Sequence, residues 1–135
     1  MHSTYRKGEI AQLKVQLRAV ELGILTSKPT TEARYDLVLD FKGKLERGQI
    51  KYAGSVVTPG VVTLDLRKQT RNNGVSRTYS SEEIDMLYVY VAPVDKIVRI
   101  PPTLFHNRKH LSLRWAPGGS TFGRKDAVVV SDFIW

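Results

Sequence analysis

Between Thr4 and Leu22 the apolar residues Ile10, Leu13, Leu17 and Val20 recur at three- and four-residue steps, with Lys7, Lys14, Arg18 and Glu21 elsewhere around the turn. That spacing gathers them on one side of an α-helix, so the segment reads as amphipathic helix. Ser3 or Thr4 suits its N-cap and Gly23 its end. The pattern then turns strand-like. Ile24 to Ser27 reads as a short strand before a polar loop from Lys28 to Arg34, and Tyr35 to Phe41 with Leu45 to Tyr52 reads as a hairpin about Lys42-Gly43-Lys44. Val61, Thr63, Asp65 and Arg67 alternate with Val62, Leu64 and Leu66, as a strand with one buried face requires. Asn72-Asn73-Gly74 marks a turn in the polar stretch after Arg67, and Ser80 with Glu83 resembles a capping box opening a short helical turn. Met86 to Ala92 and Lys96 to Ile100 read as strands, and Pro101-Pro102 as a break. Leu111 to Trp115 and Ala127 to Trp135 read as later strands or packed tail. A helix followed by several strands predicts an α/β (α+β) layer fold with a mixed central sheet and flanking helices.

No repeat or low-complexity tract divides the 135 residues, so they read as one domain, 1–135. Charge narrows the function. Twenty-one Lys and Arg against 13 Asp and Glu leave +8, a balance that fits a polyanion partner because neutralised phosphates release counterions; the plainer reading is that the excess only aids solubility. Absence of cysteine excludes disulfides and thiolate metal sites, and fits a reducing interior. No apolar run reaches the roughly 20 residues that cross a bilayer, so no membrane partner is expected.

Candidate chemistry centres on the hairpin. Asp36 is an acid among apolar neighbours in the first strand, and Gln49 and Lys51 stand two apart in the second, which puts them on one face. Pairing about the turn brings Asp36 towards them. A carboxylate, an amide oxygen and an ammonium at one spot suit a hard divalent cation with a positive charge beside a phosphate. Plainer readings exist: a strand Asp is often solvated at an edge, and Lys51 can be a surface lysine. Asp85 reads as a cap or anchor of a strand, and Glu82 and Glu83 as a solvated helix start.

Asp36 followed by Gln49-Ile50-Lys51 resembles the signature of the PD-(D/E)XK nuclease superfamily. Lys7 to Gln12, Tyr35 to Val38, Gly48 to Lys51, and Tyr79 to Tyr90 with Val98 to Pro101 are similar, in that order, to the small PD-(D/E)XK endonucleases of cyanobacterial group I introns. The resemblance spans roughly residues 7 to 101. It implies a restriction-endonuclease-like fold with a core over about residues 4–101 and a C-terminal extension, 102–135, for DNA contact or oligomerisation. It implies a site-specific homing endonuclease of the bacterial cytoplasm, cutting both strands of double-stranded DNA as a homodimer or tetramer with Mg²⁺ or Mn²⁺. Asp36 would be the main metal ligand and Gln49 a neutral oxygen ligand. Lys51 would orient or deprotonate the water, or neutralise developing charge; an ordinary lysine pKa of about 10.4 favours the second. Such enzymes draw further negative charge from a first-helix Glu, at the catalytic position held here by Gln12. Glu9, one turn away, is the acid left to reach the ion. A chain with Gln12 is therefore expected to cut weakly or not at all while still binding.

Candidate DNA contacts follow the cations. Arg67, Lys68, Arg71, Asn72, Asn73 and Arg77 form a strand end and loop that suits the major groove or is simply a mobile polar turn. Lys7 on the helix, Arg108, Lys109 and Arg114, and Arg124 with Lys125 complete the set. His106 and His110 are four apart, a metal spacing on a helix that Pro101-Pro102 and the surrounding cations disfavour. Trp115, Phe122, Phe133 and Trp135 suit core or interface, and the tail from Ala127 either joins subunits or forms the last core strand. The core signature also admits a Holliday-junction resolvase or restriction-type nuclease, and Gln12 admits a non-catalytic basic DNA-binding module.

Overall fold

The caps expected of the first helix form as the chemistry of Ser3 and Gly23 dictates. The computed structural model describes residues 3–69, 76–116 and 127–135. In it Thr4–Glu21 is helix α1, and Ser3 Oγ accepts from the Arg6 amide at 3.2 Å. At the other end Gly23 adopts φ +73°. Its N–H reaches the Val20 carbonyl at 3.0 Å and the Ile24 N–H reaches that of Ala19 at 2.8 Å, a Schellman closure that needs the left-handed residue glycine supplies.

The strands follow as β1 (Leu25–Ser27), β2 (Leu37–Phe41), β3 (Lys44–Ala53), β4 (Val56–Thr58), β5 (Val61–Asp65), β6 (Lys68–Gln69) and β7 (Ser76–Arg77). After them come β8 (Met86–Val91), β9 (Lys96–Ile100), α2 (Pro102–Phe105), β10 (His110–Arg114) and β11 (Val128–Val129). The main sheet runs β1-β2-β3-β8-β9 and is antiparallel except where β3 meets β8. A second sheet runs β11-β10-β5-β4, and β6 pairs antiparallel with β7, Lys68 opposite Arg77. The β2–β3 hairpin closes through Lys42 and Gly43 at φ +56° and +95°, the left-handed pair of a tight hairpin turn.

Packing makes three layers. On one face of the main sheet Val62, Leu64, Leu111 and Leu113 of the second sheet bury Leu87, Val89, Val98 and Ile100. On the other, Ala11 and Val15 of α1 cover Leu37, Leu39, Ile50 and Tyr88. Residues beyond 101 share the first of these cores, including Phe105, Val128 and Val130.

Here the helix departs from its sequence pattern. Ala11, Val15 and Ala19 are fully buried, whereas Leu13, Leu17 and Val20 are 61 %, 58 % and 72 % exposed. Of the four stripe residues, only Ile10 packs against the core. The helix is apolar on two opposite sides, and the side with small residues faces the sheet because it permits close approach to an already crowded surface. Ser80 to Glu83 also departs: it makes a turn, not a helix, and Ser80 Oγ donates to Glu83 Oε1 at 3.2 Å rather than capping an amide. The following residues are drawn into the sheet instead, since the Asp85 N–H donates to the Arg47 carbonyl at 2.9 Å. Strand β4 and helix α2 had no sequence warning; Pro102 begins α2 because a first-turn proline lacks only a hydrogen bond that position never makes. The tail is packed, with Trp135 edge-on to Tyr88 at 4.9 Å between ring centroids.

One ion pair sets the register that carries the candidate site. Asp85 Oδ2 accepts from the Arg47 amide at 2.7 Å and from its Nε at 3.0 Å, and Oδ1 accepts from Nη2 at 2.9 Å. It therefore anchors β3 to the start of β8, where Gly48 pairs with Met86. Hydrogen bonding to Arg47 holds the Asp85 carboxyl below its usual range. A carboxyl depressed on folding stabilises the fold fully above its unfolded value, near pH 4, and ceases to as pH falls through the folded value. Asp85→Asn is expected to cost about 1–2 kcal/mol at pH 7, allowing for partial solvent screening. In urea melts the difference from the parent protein should persist at pH 6 and shrink below about pH 4.

Candidate functional site

Asp36 lies one residue before β2 and occupies a gap in its ladder. Its amide donates to the Gly48 carbonyl at 2.8 Å, while Oδ2 accepts from the Ile50 amide at 3.0 Å. The carboxylate thus takes a place in the sheet that a backbone carbonyl would otherwise fill, which aligns it with the pleat and opens it to both faces. Towards α1 it lines a cleft of about 270 Å³ with Thr4, Tyr5, Gly8, Glu9, Gln12 and Ile50. Glu9 and Gln12, one turn apart, are therefore brought to Asp36, both from the N-terminal half of the helix.

Gln49 and Lys51 leave β3 on the opposite face from Ile50, as alternation requires. Gln49 is 7 % exposed and donates weakly from Nε2 to the Ile50 carbonyl at 3.4 Å, so the amide atom suited to a cation is Oε1. Lys51 Nζ lies over the Tyr79 ring, 5.3 Å from its centroid. The Tyr79 hydroxyl in turn senses Asp36: burial pushes its pKa up to about 12, the Arg34 charge opposes, and the Asp36 and Glu83 carboxylates add to the rise. Tyr79 is thus the common neighbour of the acid and the lysine.

Arg34 and Glu83 complete this side. Arg34 stacks on Tyr79 at 4.5 Å and its Nη2 donates to the Thr78 carbonyl at 2.8 Å. Its Nε is 2.9 Å from Glu83 Oε2, an ion pair out of line for a straight hydrogen bond. Glu83 also meets Arg77 at 3.5 Å and is 22 % exposed in its side chain, so it is not the solvated residue its sequence position suggested. Arg34 and Tyr79 escaped the sequence as site residues. Arg34 ends a polar loop, and nothing in its spacing shows what it stacks on; Tyr79 stood only at the edge of a matched block.

Two of the cationic segments meet beside Tyr79. Its carbonyl accepts from the Asn107 amide at 2.9 Å, and His106 Nδ1 accepts from the Ser81 amide at 3.0 Å. Arg77 and Asn107 border one polar cleft of about 460 Å³ with Thr78, Ser80, Glu82 and Glu83. Lys109 is exposed, Arg108 and Arg114 are half-buried, and Lys7 lies over the Tyr52 ring at 5.8 Å. Arg67 is held by Asp65, Nε to Oδ1 and Nη2 to Oδ2 both at 3.1 Å. That pairing leaves less of its guanidinium for a phosphate. Arg71, Asn72, Asn73, Phe122, Arg124 and Lys125 lie outside the described residues, as does the side chain of Lys68. His106 follows α2 and His110 begins β10, so the two do not share the helix their spacing would need; among the described residues there is no group of three or more His, Cys, Asp or Glu that could hold an ion. No helix among them is long and apolar enough to cross a membrane.

The α1 cleft offers hard oxygen donors from Asp36, Glu9 and Gln12. They fit Mg²⁺, which keeps several waters and is often held by one or two carboxylates plus substrate phosphate. No curated protein matches the chain. Among solved structures a bacterial homing endonuclease, I-Ssp6803I, superposes with a TM-score of 0.79 at 25 % sequence identity, covering 98 % of this chain and 89 % of that one. The family model described as PD-(D/E)XK endonuclease matches residues 2–124, a span that takes in every element from α1 to β10. By that match the chain belongs to the PD-(D/E)XK endonuclease family.

Proposed function

We propose that this chain is a divalent-metal-dependent, site-specific endonuclease that cuts both strands of duplex DNA, in the manner of a homing enzyme. One observation carries the proposal: the Asp36 carboxylate sits in a ladder gap between the Glu9–Gln12 cleft and the Tyr79 ring that bears Lys51. The homing activity of the structural neighbour supports the substrate class.

Hydrolysis joins a water oxygen to phosphorus and breaks a phosphorus–ester bond, with negative charge growing on the phosphoryl oxygens. Asp36, Gln49 and Glu9 would hold Mg²⁺ or Mn²⁺, which supplies Lewis acidity and a more acidic bound water. The Lys51 ammonium offsets the growing charge on the phosphoryl group. Asp36 itself is steadied by the Ile50 amide. Arg77 and Asn107 place polar groups next to Tyr79, where they can track the backbone of a bound duplex.

A chain with one such site cuts both strands most simply as a two-fold pair. Among the described residues, the exposed Leu13, Leu17 and Val20 on α1 form an apolar face that would suit self-association.

The test is digestion of a plasmid library carrying randomised inserts. With Mg²⁺ the protein should linearise plasmids sharing one recovered sequence, and EDTA should stop it. A Leu17→Glu variant should nick rather than linearise that target. Binding without any cutting, in Mg²⁺ or Mn²⁺ and with Gln12→Glu as well, would leave the non-catalytic DNA-binding module as the answer.

A further inference from the structure

Tyr79 is 1 % exposed, yet two cations lie over its ring, the Arg34 guanidinium at 4.5 Å and Lys51 Nζ at 5.3 Å from the centroid. They are not equivalent. Arg34 is fixed by the Thr78 carbonyl at 2.8 Å and balanced by Glu83 at 2.9 Å. Glu83 is itself held by Ser80 at 3.2 Å and by Arg77 at 3.5 Å. The Tyr79 backbone is pinned as well, through the Asn107 amide at 2.9 Å. The ring is thus clamped, and Arg34's charge is largely neutralised by its own partner.

A lysine stem has several rotors, and holding its ammonium in one place costs entropy that a free surface lysine does not lose. A fixed aromatic face offsets part of that cost by attracting the ammonium through the ring quadrupole. We propose that Tyr79, clamped by Arg34 and Glu83, is a positioning residue that holds the Lys51 ammonium where the scissile phosphate docks. The inference rests on the reading of Lys51 as the cation at that phosphate. The ring acts and the hydroxyl does not: with its pKa near 12 the phenol stays protonated at neutral pH and serves as no base.

The test uses the full chain and the duplex recovered by plasmid selection, under single-turnover conditions. Tyr79→Phe should cut within about twofold of the parent rate and Tyr79→Leu about tenfold more slowly, both with unchanged DNA affinity. Phenylalanines bearing one to three fluorines at position 79 keep the core filled while draining the ring face, so their rates should fall stepwise. Equal rates across that series overturn the proposal, as does a Phe variant as slow as the Leu variant or a parallel loss of DNA affinity. In the DNA-free protein the Lys51 ε-methylene protons should resonate upfield of ordinary lysines, and random-coil shifts there overturn it whether or not the chain cuts. Full cutting by Lys51→Ala would instead remove the underlying role of Lys51.

Discussion

Lys51→Ala is expected to slow cleavage of the selected duplex by about 10²–10³-fold, the usual loss when one preorganised charge-stabilising group is removed. DNA affinity should change by no more than about twofold, because one cation among many contributes little to phosphate binding. The split follows from where the residue sits. Lys51 shares its β3 face with the nearly sealed Gln49, and its ammonium lies over a buried ring, not in bulk solvent. A surface lysine serving only solubility would lose nothing measurable on truncation. If Lys51→Ala cuts at the parent rate, the assigned site is wrong.

The second large effect concerns Gln12. Its side chain borders the cleft that holds Asp36 and Glu9, so a carboxylate introduced there would join the same donor group. Two unit charges 4 Å apart at an effective dielectric near 20 interact by about 4 kcal/mol. Even a third of that amounts to about tenfold in ion affinity. Gln12→Glu should therefore lower the Mg²⁺ concentration needed for half-maximal cutting by at least about tenfold and raise the rate at low Mg²⁺. Equal and full activity in both proteins would show that Glu9 already supplies the missing charge, and that the chain is not a weakened form.

Local chemistry announced much of the fold. The Ser3 and Gly23 caps, the hairpin about Lys42-Gly43 and the buried face of Val62 and Leu64 each depend on residues adjacent in sequence. The helix face did not follow, because periodicity marks every apolar stripe without saying which one the sheet has room for. Leu13 and Leu17 looked like core by size, yet the crowded surface of Leu37, Leu39 and Tyr88 takes Ala11 and Val15, with Ile10 packed beside them. The catalytic candidates were readable as a motif, since Asp36 immediately precedes β2 and Gln49 and Lys51 lie on β3, its hairpin partner. Their surroundings were not. Arg34, Tyr79 and Glu83 come together through a loop and a turn whose meeting depends on the Arg47–Asp85 anchor, a contact between residues 38 apart in sequence.

The most direct test of the site is a crystal structure of Lys51→Ala bound to its uncut target duplex in Mg²⁺. A scissile phosphate docked beside Asp36, with an ion held between them by Asp36 and its neighbouring oxygen donors, is the predicted result. A duplex seated elsewhere on the protein, with no phosphate able to reach Asp36, would contradict it.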